Sequence, residues 1–454
     1  MDFQNSKHLL AAVQKMRTEY LKTARTTAIS VQQNATCRDD PVKGPLWVSK
    51  FSIPSPTEDT SRDLLLQLVD EANEHSVRYD RPSSAPLDFE WVGFRNQVQK
   101  DTPEPAIGEN EKFLELSKET KSPLTILYVY GGSFVLNSPS SYRKTAAALS
   151  QTTGAKVLLV RQRLAPQNPF PAALLDIFQA YLTLLIPPTG SPHKPIPPSS
   201  IVIAGDSSGA TLALGLLQVL LRLQRRGASI TFHGAAVPAK GSIPAGISLL
   251  SPAADLSNAF PSFESNAKSD IFPVPIEKLP YLEKSFPTCS VWPTRPPRAN
   301  LYCDAGMLAH PLASPAAASA DDWAGMCPIW MGSGQEQTVD ASRLVAREIH
   351  RAGGSVTLQE YEGMPHTFFW VFRSAPQTKK ILKDWAQAIV DFGQGGKRPL
   401  SSAQFIKAKG LVAEPLQIDS LVPFTVKEAR EMMYKKTAGY KVPAFHREGY
   451  VSNL

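Results

Sequence analysis

Residues 201–209 read IVIAGDSSG, and this stretch decides the fold. It joins a continuous apolar run, a tight turn with two glycines and the start of a helical pattern. A short strand that is apolar throughout is typical of a parallel sheet buried on both faces. The GxSxG pattern in the turn is typical of a nucleophilic serine placed between a strand and a helix. The stretch therefore predicts a parallel sheet with Ser207 where a strand ends.

Similar apolar runs alternate with amphipathic helical patterns through the middle of the chain. The predicted strands are residues 124–130, 156–161, 201–204, 247–251, 329–332 and 355–361. The predicted helices are residues 141–151, 172–185, 208–223, 340–352 and 377–392. Strands that alternate with helices predict the α/β class, with a mostly parallel central sheet flanked by helices.

Three regions lie outside this alternation. Residues 1–121 mix helical and loop patterns, and we predict that they form an N-terminal helical cap region. The predicted catalytic domain spans residues 122–394 and contains a Pro-rich insertion at 256–326. Residues 395–454 form a C-terminal extension with scattered apolar anchors. Each of the three is a candidate to cover a pocket at the sheet.

The composition limits the kinds of partner and the cellular compartment that we expect for this protein. The chain of 454 residues has a formal net charge of +7, but its basic residues are scattered among acidic ones, which argues against binding nucleic acid. The cysteines lie far apart without a CxxC pair, which favours reduced thiols and no metal site. These are Cys37, Cys289, Cys303 and Cys327. The sequence shows neither a signal segment nor a charge-free apolar run of bilayer length, so we expect a cytoplasmic protein.

A helical pattern near the N-terminus allows two interpretations. Its apolar residues are Leu9, Leu10, Val13, Met16, Tyr20 and Leu21, set among Lys and Arg. This spacing is typical of a helix packed on the domain. It is also typical of a helix that lies on a membrane surface, so peripheral contact with lipid stays open.

A serine hydroxyl needs a base before it attacks at neutral pH. His366 follows a predicted strand and precedes the apolar run TFFWV, which places it on a loop near the carboxyl edge of the sheet. The chain order of nucleophile, acid and histidine also agrees with this assignment. His310, in the insertion, is the next candidate, whereas His350 lies within a predicted helix.

The acid that orients the histidine should follow the penultimate strand. Glu336 is the first carboxylate after the predicted strand 329–332, and it is our candidate. Asp340 stays as the alternative, although it is expected to begin the next helix. Asp255 follows an earlier strand and is interpreted as a residue that stabilises its loop.

Backbone N–H groups are suited to hold an oxyanion because they are fixed before the reaction begins. Residues 130–134 read YGGSF and end the first predicted strand with a glycine pair. We predict an oxyanion hole from the N–H groups of Gly132, Ser133 and Ser208. The aromatic residues beside these motifs either line an apolar pocket or belong to the core; the pocket candidates are Tyr130, Phe134 and Phe368.

These motifs together resemble the hormone-sensitive-lipase-like branch of the α/β-hydrolases, in particular its large fungal members. The resemblance is carried by residues 130–134, 163–174, 205–209, 310–315 and 361–366. It implies an N-terminal helical cap and hydrolysis of esters with short to medium acyl groups. The chain departs from the family pattern at Tyr130, where the family has His, and at Ser133, where it has a third glycine. Glu336 and Gln337 stand where the family often has Asp-Pro.

The sequence thus predicts a serine esterase that cleaves a hydrophobic small-molecule ester through Ser207, His366 and Glu336, with no metal or organic cofactor. Two alternatives stay open. One is a non-hydrolytic enzyme of secondary metabolism, a cyclase, acyltransferase or lyase, that uses the same three residues. The other is a ligand-binding receptor built on the same fold.

Overall fold

The computed structural model describes residues 3, 6–271, 274–395 and 399–447. The strands are β1 (Leu46–Ile53), β2 (Leu87–Phe94), β3 (Thr125–Val129), β4 (Lys156–Val160), β5 (Ile201–Asp206), β6 (Ser229–Phe232), β7 (Ala235–Pro238), β8 (Gly246–Leu250), β9 (Ile329–Gly334), β10 (Val356–Tyr361), β11 (Ser402–Ile406) and β12 (Ala413–Leu416). The helices are α1 (Ser6–Thr26), α2 (Ile29–Thr36), α3 (Ser61–Glu71), α4 (Glu109–Glu119), α5 (Pro139–Thr153), α6 (Ala172–Leu185), α7 (Ser207–Arg225), α8 (Ser262–Ser265), α9 (Ala320–Trp323), α10 (Val339–Arg351), α11 (Phe368–Val371), α12 (Pro376–Gly393), α13 (Val426–Thr437) and α14 (Ala444–Arg447).

Ten strands of the described chain form one sheet in the order β1-β2-β4-β3-β5-β8-β9-β10-β11-β12. The strands from β4 to β11 run parallel to one another. β1, β2 and β12 pair antiparallel at the two sides of this parallel centre, and β6 and β7 form a separate hairpin. The predicted α/β class with a mostly parallel central sheet is confirmed.

Strand β3 shows how the sheet is buried on both faces. Ile126 and Tyr128 pack in one buried cluster with side chains of α5 and α12. Leu127 and Val129 point to the opposite face and pack in a second cluster with α6 and α7. Successive side chains of a strand alternate between faces, so a strand covered on both sides is apolar at nearly every position; in β3 the exception is Thr125.

The sheet extends into two regions where the sequence analysis found no strand. β1 and β2 lie within residues 1–121, and β11 and β12 lie within residues 395–454. These strands were missed because the outer ones are partly exposed: Lys50 and Ser52 of β1 and most of β12 face solvent, so their apolar runs are interrupted. Residues 256–326 are irregular, with only the short helices α8 and α9 and single 3-10 turns among the described residues.

Helix α1 packs on the domain through part of its apolar pattern, whereas Met16 and Tyr20 are exposed. Leu9 and Val13 are buried in the same cluster as Met364 and Phe368, which belong to the chain around His366. This is the first of the two interpretations of the N-terminal pattern, while contact with a membrane surface stays a prediction. No helix of the described residues is long and apolar enough to cross a bilayer.

A buried ion pair joins α5 to β2. Arg143, only 3% exposed, contacts Glu90 twice, from Nε to Oε2 at 2.7 Å and from Nη2 to Oε1 at 2.5 Å. Its guanidinium also donates to the carbonyl of Asp40 and to the carboxylate of Asp39. The pair therefore fixes the segment before β1 as well as the edge of the sheet.

Replacing Arg143 with Met should lower the free energy of unfolding by about 3 kcal/mol, because Glu90 would be left as a buried charge without its partner. Urea unfolding followed by tryptophan fluorescence measures the change. The double variant Arg143→Met/Glu90→Gln should recover part of the loss. Arg81→Met, which breaks the exposed pair with Asp70, should cost less than about 1 kcal/mol. Equal losses in Arg143→Met and Arg81→Met would contradict this account.

Candidate active site

Ser207 lies at the turn between β5 and α7 with a backbone φ of 50°, a conformation that side chains with a Cβ rarely adopt. The turn needs glycine at both positions because there is no room for a side chain at either one. A Cβ on Gly205 would lie 2.7 Å from the carbonyl oxygen of Val129, and a Cβ on Gly209 would overlap the same carbonyl. The strained turn therefore presents the Ser207 hydroxyl at the carboxyl edge of β5.

The structure brings the three predicted residues into one hydrogen-bonded series. The Oγ of Ser207 lies 2.9 Å from Nε2 of His366, and Nδ1 of His366 lies 2.9 Å from Oε1 of Glu336. Because a carboxylate only accepts hydrogen bonds, the proton belongs on Nδ1. Nε2 is then free to accept the proton of the Ser207 hydroxyl.

Glu336 is fully buried and held by three further donors. Its Oε2 accepts from the Ser251 hydroxyl at 2.8 Å and from the Gly334 N–H at 3.1 Å. Its Oε1 accepts from the Thr338 hydroxyl at 2.8 Å. These contacts fix the carboxylate and compensate the loss of water around it. Sequence reasoning missed Ser251 and Thr338, since hydroxyls near strand ends carry no signal of their own.

The other acid and base candidates lie apart from this series. Asp340 accepts a hydrogen bond from Arg343 at 3.0 Å and does not contact His366. His310 has both ring nitrogens occupied, by the Val69 carbonyl and the Leu312 N–H, and burial lowers its pKa to about 4. Within the described ranges, no group of three or more His, Cys, Asp or Glu side chains is placed to hold a metal ion.

Three carboxylates interact electrostatically with His366. Burial of the ring disfavours its charged form, but the negative charges of Glu336, Asp270 and Asp206 outweigh that effect and raise the pKa of His366 above its usual value. The same charges stabilise the imidazolium that forms when His366 takes a proton.

The loop after β3 carries the predicted oxyanion donors. Gly132, Ser133 and Phe134 all have positive φ, at 128°, 55° and 63°. The N–H groups of Gly132 and Ser133 make no hydrogen bond to another residue of the described chain, and that of Ser208 is one of the first amides of α7, which have no acceptor in a preceding turn. The Phe134 N–H donates to Oγ of Ser208 at 3.2 Å, so the loop is tied to the turn that carries Ser207.

Asp206 also joins the loop after β3 to the turn that carries Ser207. Its buried carboxylate accepts from the Tyr128 hydroxyl at 2.8 Å, the Tyr142 hydroxyl at 3.0 Å and the Gly131 N–H at 3.3 Å. The indole N–H of Trp370 lies 3.4 Å from the same carboxylate. Burial raises the pKa of Asp206, and these donors partly offset that effect. The sequence signal for this residue is an acid at the end of a strand that is otherwise apolar.

The predicted pocket aromatics lie in the core. Tyr130 and Phe368 have no exposed surface, so both are packed in the core, and a role in lining a pocket stays a prediction. Tyr130 stacks on Tyr142 instead. Phe134 is 5% exposed and stacks on Tyr302 of the insertion, with ring centroids 3.7 Å apart. Aromatic residues beside strand ends are needed to fill the large parallel core, which explains their burial.

Comparison with known proteins identifies the family. Residues 126–370, more than half of the chain, match the family described as alpha/beta hydrolase fold. The chain belongs to this family. It is the hormone-sensitive-lipase-like group that the motifs resemble.

Two bacterial relatives align with this chain over most of their own length. An acetyl-hydrolase from Streptomyces hygroscopicus is 30% identical over 260 residues, which are 57% of this chain and 73% of that protein. An esterase from Acinetobacter venetianus is 28% identical over 274 residues, 60% of this chain and 77% of that protein. The predicted enzyme class, a hydrolase of carboxylic ester bonds, is confirmed. A fungal origin and a role in secondary metabolism stay predictions.

A solved structure shows the same fold. The crystal structure of an esterase from the bacterial hormone-sensitive lipase (HSL) family superimposes with a TM-score of 0.52 and 20% identity, over 84% of this chain and 97% of that one. At this identity the similarity concerns the fold alone.

Replacing Glu336 with Gln should lower kcat by about 100- to 10,000-fold, because the neutral amide no longer holds the Nδ1–H tautomer or stabilises the imidazolium. The base acts when neutral, so activity is present above the pKa of His366 and lost below it. Removing the Glu336 charge lowers that pKa, and the acid limb of kcat/KM should move to lower pH.

Steady-state hydrolysis of p-nitrophenyl butyrate across pH measures both effects. The matched control is Asp340→Asn, which neutralises the other carboxylate considered for this role and should leave the acid limb in place. A larger loss in Asp340→Asn than in Glu336→Gln would contradict the assignment.

Proposed function

We propose that this protein hydrolyses carboxylic esters with Ser207 as nucleophile, His366 as general base and Glu336 as the acid that orients it. The observation that carries the proposal is the pair of 2.9 Å contacts that join the three side chains in the order an acyl transfer needs. A receptor that only binds a ligand needs neither a base beside the hydroxyl nor a buried carboxylate behind the base. The geometry therefore supports turnover over binding alone.

The first half of the reaction acylates Ser207. His366 accepts the hydroxyl proton at Nε2 as Oγ attacks the ester carbonyl carbon. The N–H groups of Gly132, Ser133 and Ser208 hold the oxygen, which becomes negative in the tetrahedral intermediate. When the intermediate collapses, His366 gives its proton to the leaving alkoxide and the alcohol departs.

The second half releases the acid. A water molecule takes the place of the alcohol and gives a proton to Nε2 of His366 as it attacks the acyl carbon. A second tetrahedral intermediate collapses, the proton passes to Oγ of Ser207, and the carboxylic acid leaves. Throughout, Glu336 stays ionised and balances the charge on the imidazolium.

The substrate in this proposal is a hydrophobic small-molecule ester with a short to medium acyl group. The resemblance to the hormone-sensitive-lipase-like group supports a short acyl chain, as does the acetyl-hydrolase from Streptomyces hygroscopicus. The esterase from Acinetobacter venetianus supports ester hydrolysis without indicating an acyl length. A cyclase, acyltransferase or lyase with the same three residues would be distinguished from an esterase by its products. Of these reactions, hydrolysis is the one that adds water to yield an acid and an alcohol.

Residues 1–121 contain the cap of the site in this proposal. Helix α1 contacts the acid loop, where Nη1 of Arg17 lies 3.1 Å from Oε1 of Gln337. Helix α2 contacts the loop of the oxyanion donors, where the Gln33 amide donates to the Val135 carbonyl at 3.0 Å and to the Ala165 carbonyl at 2.9 Å. The two helices thus border the site from two sides.

The test is hydrolysis of p-nitrophenyl acetate, butyrate and octanoate by the wild-type protein beside Ser207→Ala. We expect kcat/KM to fall by at least about 1,000-fold without the nucleophile, and to be higher for acetate and butyrate than for octanoate. Analysis of the products should show one equivalent of acid and one of alcohol.

His366→Gln should lose a similar factor, and the matched control His350→Gln should keep wild-type activity because His350 lies on α10, away from Ser207. Equal rates for the wild type and Ser207→Ala would rule out this function for simple esters. Transfer of the acyl group to an acceptor other than water would instead favour an acyltransferase.

A further inference from the structure

Asp270 is a buried carboxylate of the insertion that lies within the proposed active site. It belongs to the segment after α8 and has no exposed surface. Its Oδ1 accepts from the backbone N–H of His366 at 2.8 Å, and its Oδ2 accepts from the backbone N–H of Gln337 at 2.7 Å. One side chain therefore holds both the residue that follows the acid Glu336 and the base itself.

The position of Asp270 is fixed by its own surroundings. Its Oδ1 also accepts from the adjacent Ile271 N–H at 2.7 Å, and its carbonyl oxygen accepts from Nη1 of Arg17 at 2.9 Å. The Gln337 side chain donates to the Phe263 carbonyl at 2.6 Å, which ties the acid loop to α8 of the insertion. The carboxylate thus lies between two catalytic loops and is anchored from the insertion and from α1.

We propose that Asp270 is a positioning residue that sets the distance and orientation between His366 and Glu336 and adds a second negative charge behind the base. One rigid carboxylate accepts two short hydrogen bonds and so fixes the loops of both residues. A displacement near 1 Å in such a site costs about 100-fold in rate. This inference rests on the proposed ester hydrolysis and names a residue of that same site.

The charges that face His366 come from several elements. Glu336 follows β9, Asp206 ends β5, and Asp270 lies in the insertion. Arg17 of α1 is the cation that contacts this group through the Asp270 carbonyl. Burial raises the pKa of Asp270 to about 6, while the nearby His366 acts to lower it. The Asp270 carboxylate is therefore charged in the pH range where His366 serves as a base.

Asp270→Asn keeps the size of the side chain but removes the charge, and its amide directs N–H groups at one of the two backbone donors. We expect kcat to fall by about 10- to 100-fold with KM changed less than about twofold, because the base is displaced while the binding surface is kept. We also expect the acid limb of kcat/KM to move to lower pH by about 0.5 units, since a negative charge near His366 is lost.

Asp255→Asn is the matched control. Asp255 is also a buried carboxylate after β8 that accepts local backbone N–H groups, from Ser257 and Ala259 at 2.8 Å each, but it has no hydrogen bond to His366, Glu336 or Ser207 within the described chain. It should lose stability without a shift of the acid limb. An unshifted limb and wild-type kcat in Asp270→Asn, or the same pH profile change in Asp255→Asn, would overturn the inference.

The variant Asp270→Glu tests the same proposal if Asp270→Asn does not fold. The longer side chain retains the charge but moves the carboxylate by one carbon–carbon bond, so the acid limb should stay in place while kcat falls at least about fivefold. Wild-type kcat in this variant would overturn the inference. Ser207→Ala is measured in parallel: a wild type no faster than Ser207→Ala contradicts the ester hydrolysis itself, whereas a fast wild type with an unaffected Asp270→Asn contradicts only the role of Asp270.

Discussion

The structure depends on burying three carboxylates in the active site away from water. Asp206, Glu336 and Asp270 are all buried beside one imidazole, and an ionised carboxylate without water is costly unless donors surround it. The protein supplies those donors from tyrosine hydroxyls, serine and threonine hydroxyls and backbone N–H groups. Because the donors belong to strand β3, helices α5 and α11, the loops after the strands and the insertion, satisfying the three charges also fixes these segments relative to one another.

Part of the backbone strain of the molecule lies in the same place. Ser133, Ser207, Ser251 and Thr367 all have φ between 46° and 55°, in a region that side chains with a Cβ rarely occupy. Each of them lies next to a residue of the proposed reaction or contacts one directly. The surrounding sheet and the buried hydrogen bonds hold these conformations, and the strain directs hydroxyls and N–H groups to one point.

The parts of the site that the sequence predicted are those with a local pattern. Ser207 could be placed because it follows an apolar strand in a GxSxG turn, and Glu336 because it is the first carboxylate after another apolar run. His366 could be placed because it lies on a loop after a later strand, in the chain order of nucleophile, acid and base. Asp270 could not be found this way, since the N–H groups that it binds are 67 and 96 residues away along the chain. Likewise β1 and β12 were missed because partly exposed strands lack a continuous apolar run. The sequence also could not separate a core position from a pocket wall for Tyr130, because an aromatic residue at a strand end suits both.

The strand β12 has a consequence for how the protein behaves at high concentration. It is the last strand of the sheet, and Pro415 lies within it opposite Gln404 of β11. Proline has no N–H, and the neighbouring Glu414 is exposed and charged, so this edge offers an incomplete row of donors to a strand from another molecule. A ten-stranded sheet with open edges is prone to intermolecular pairing, and the C-terminal extension ends it on this side with a strand that is poorly suited to recruit another, which limits aggregation through this edge.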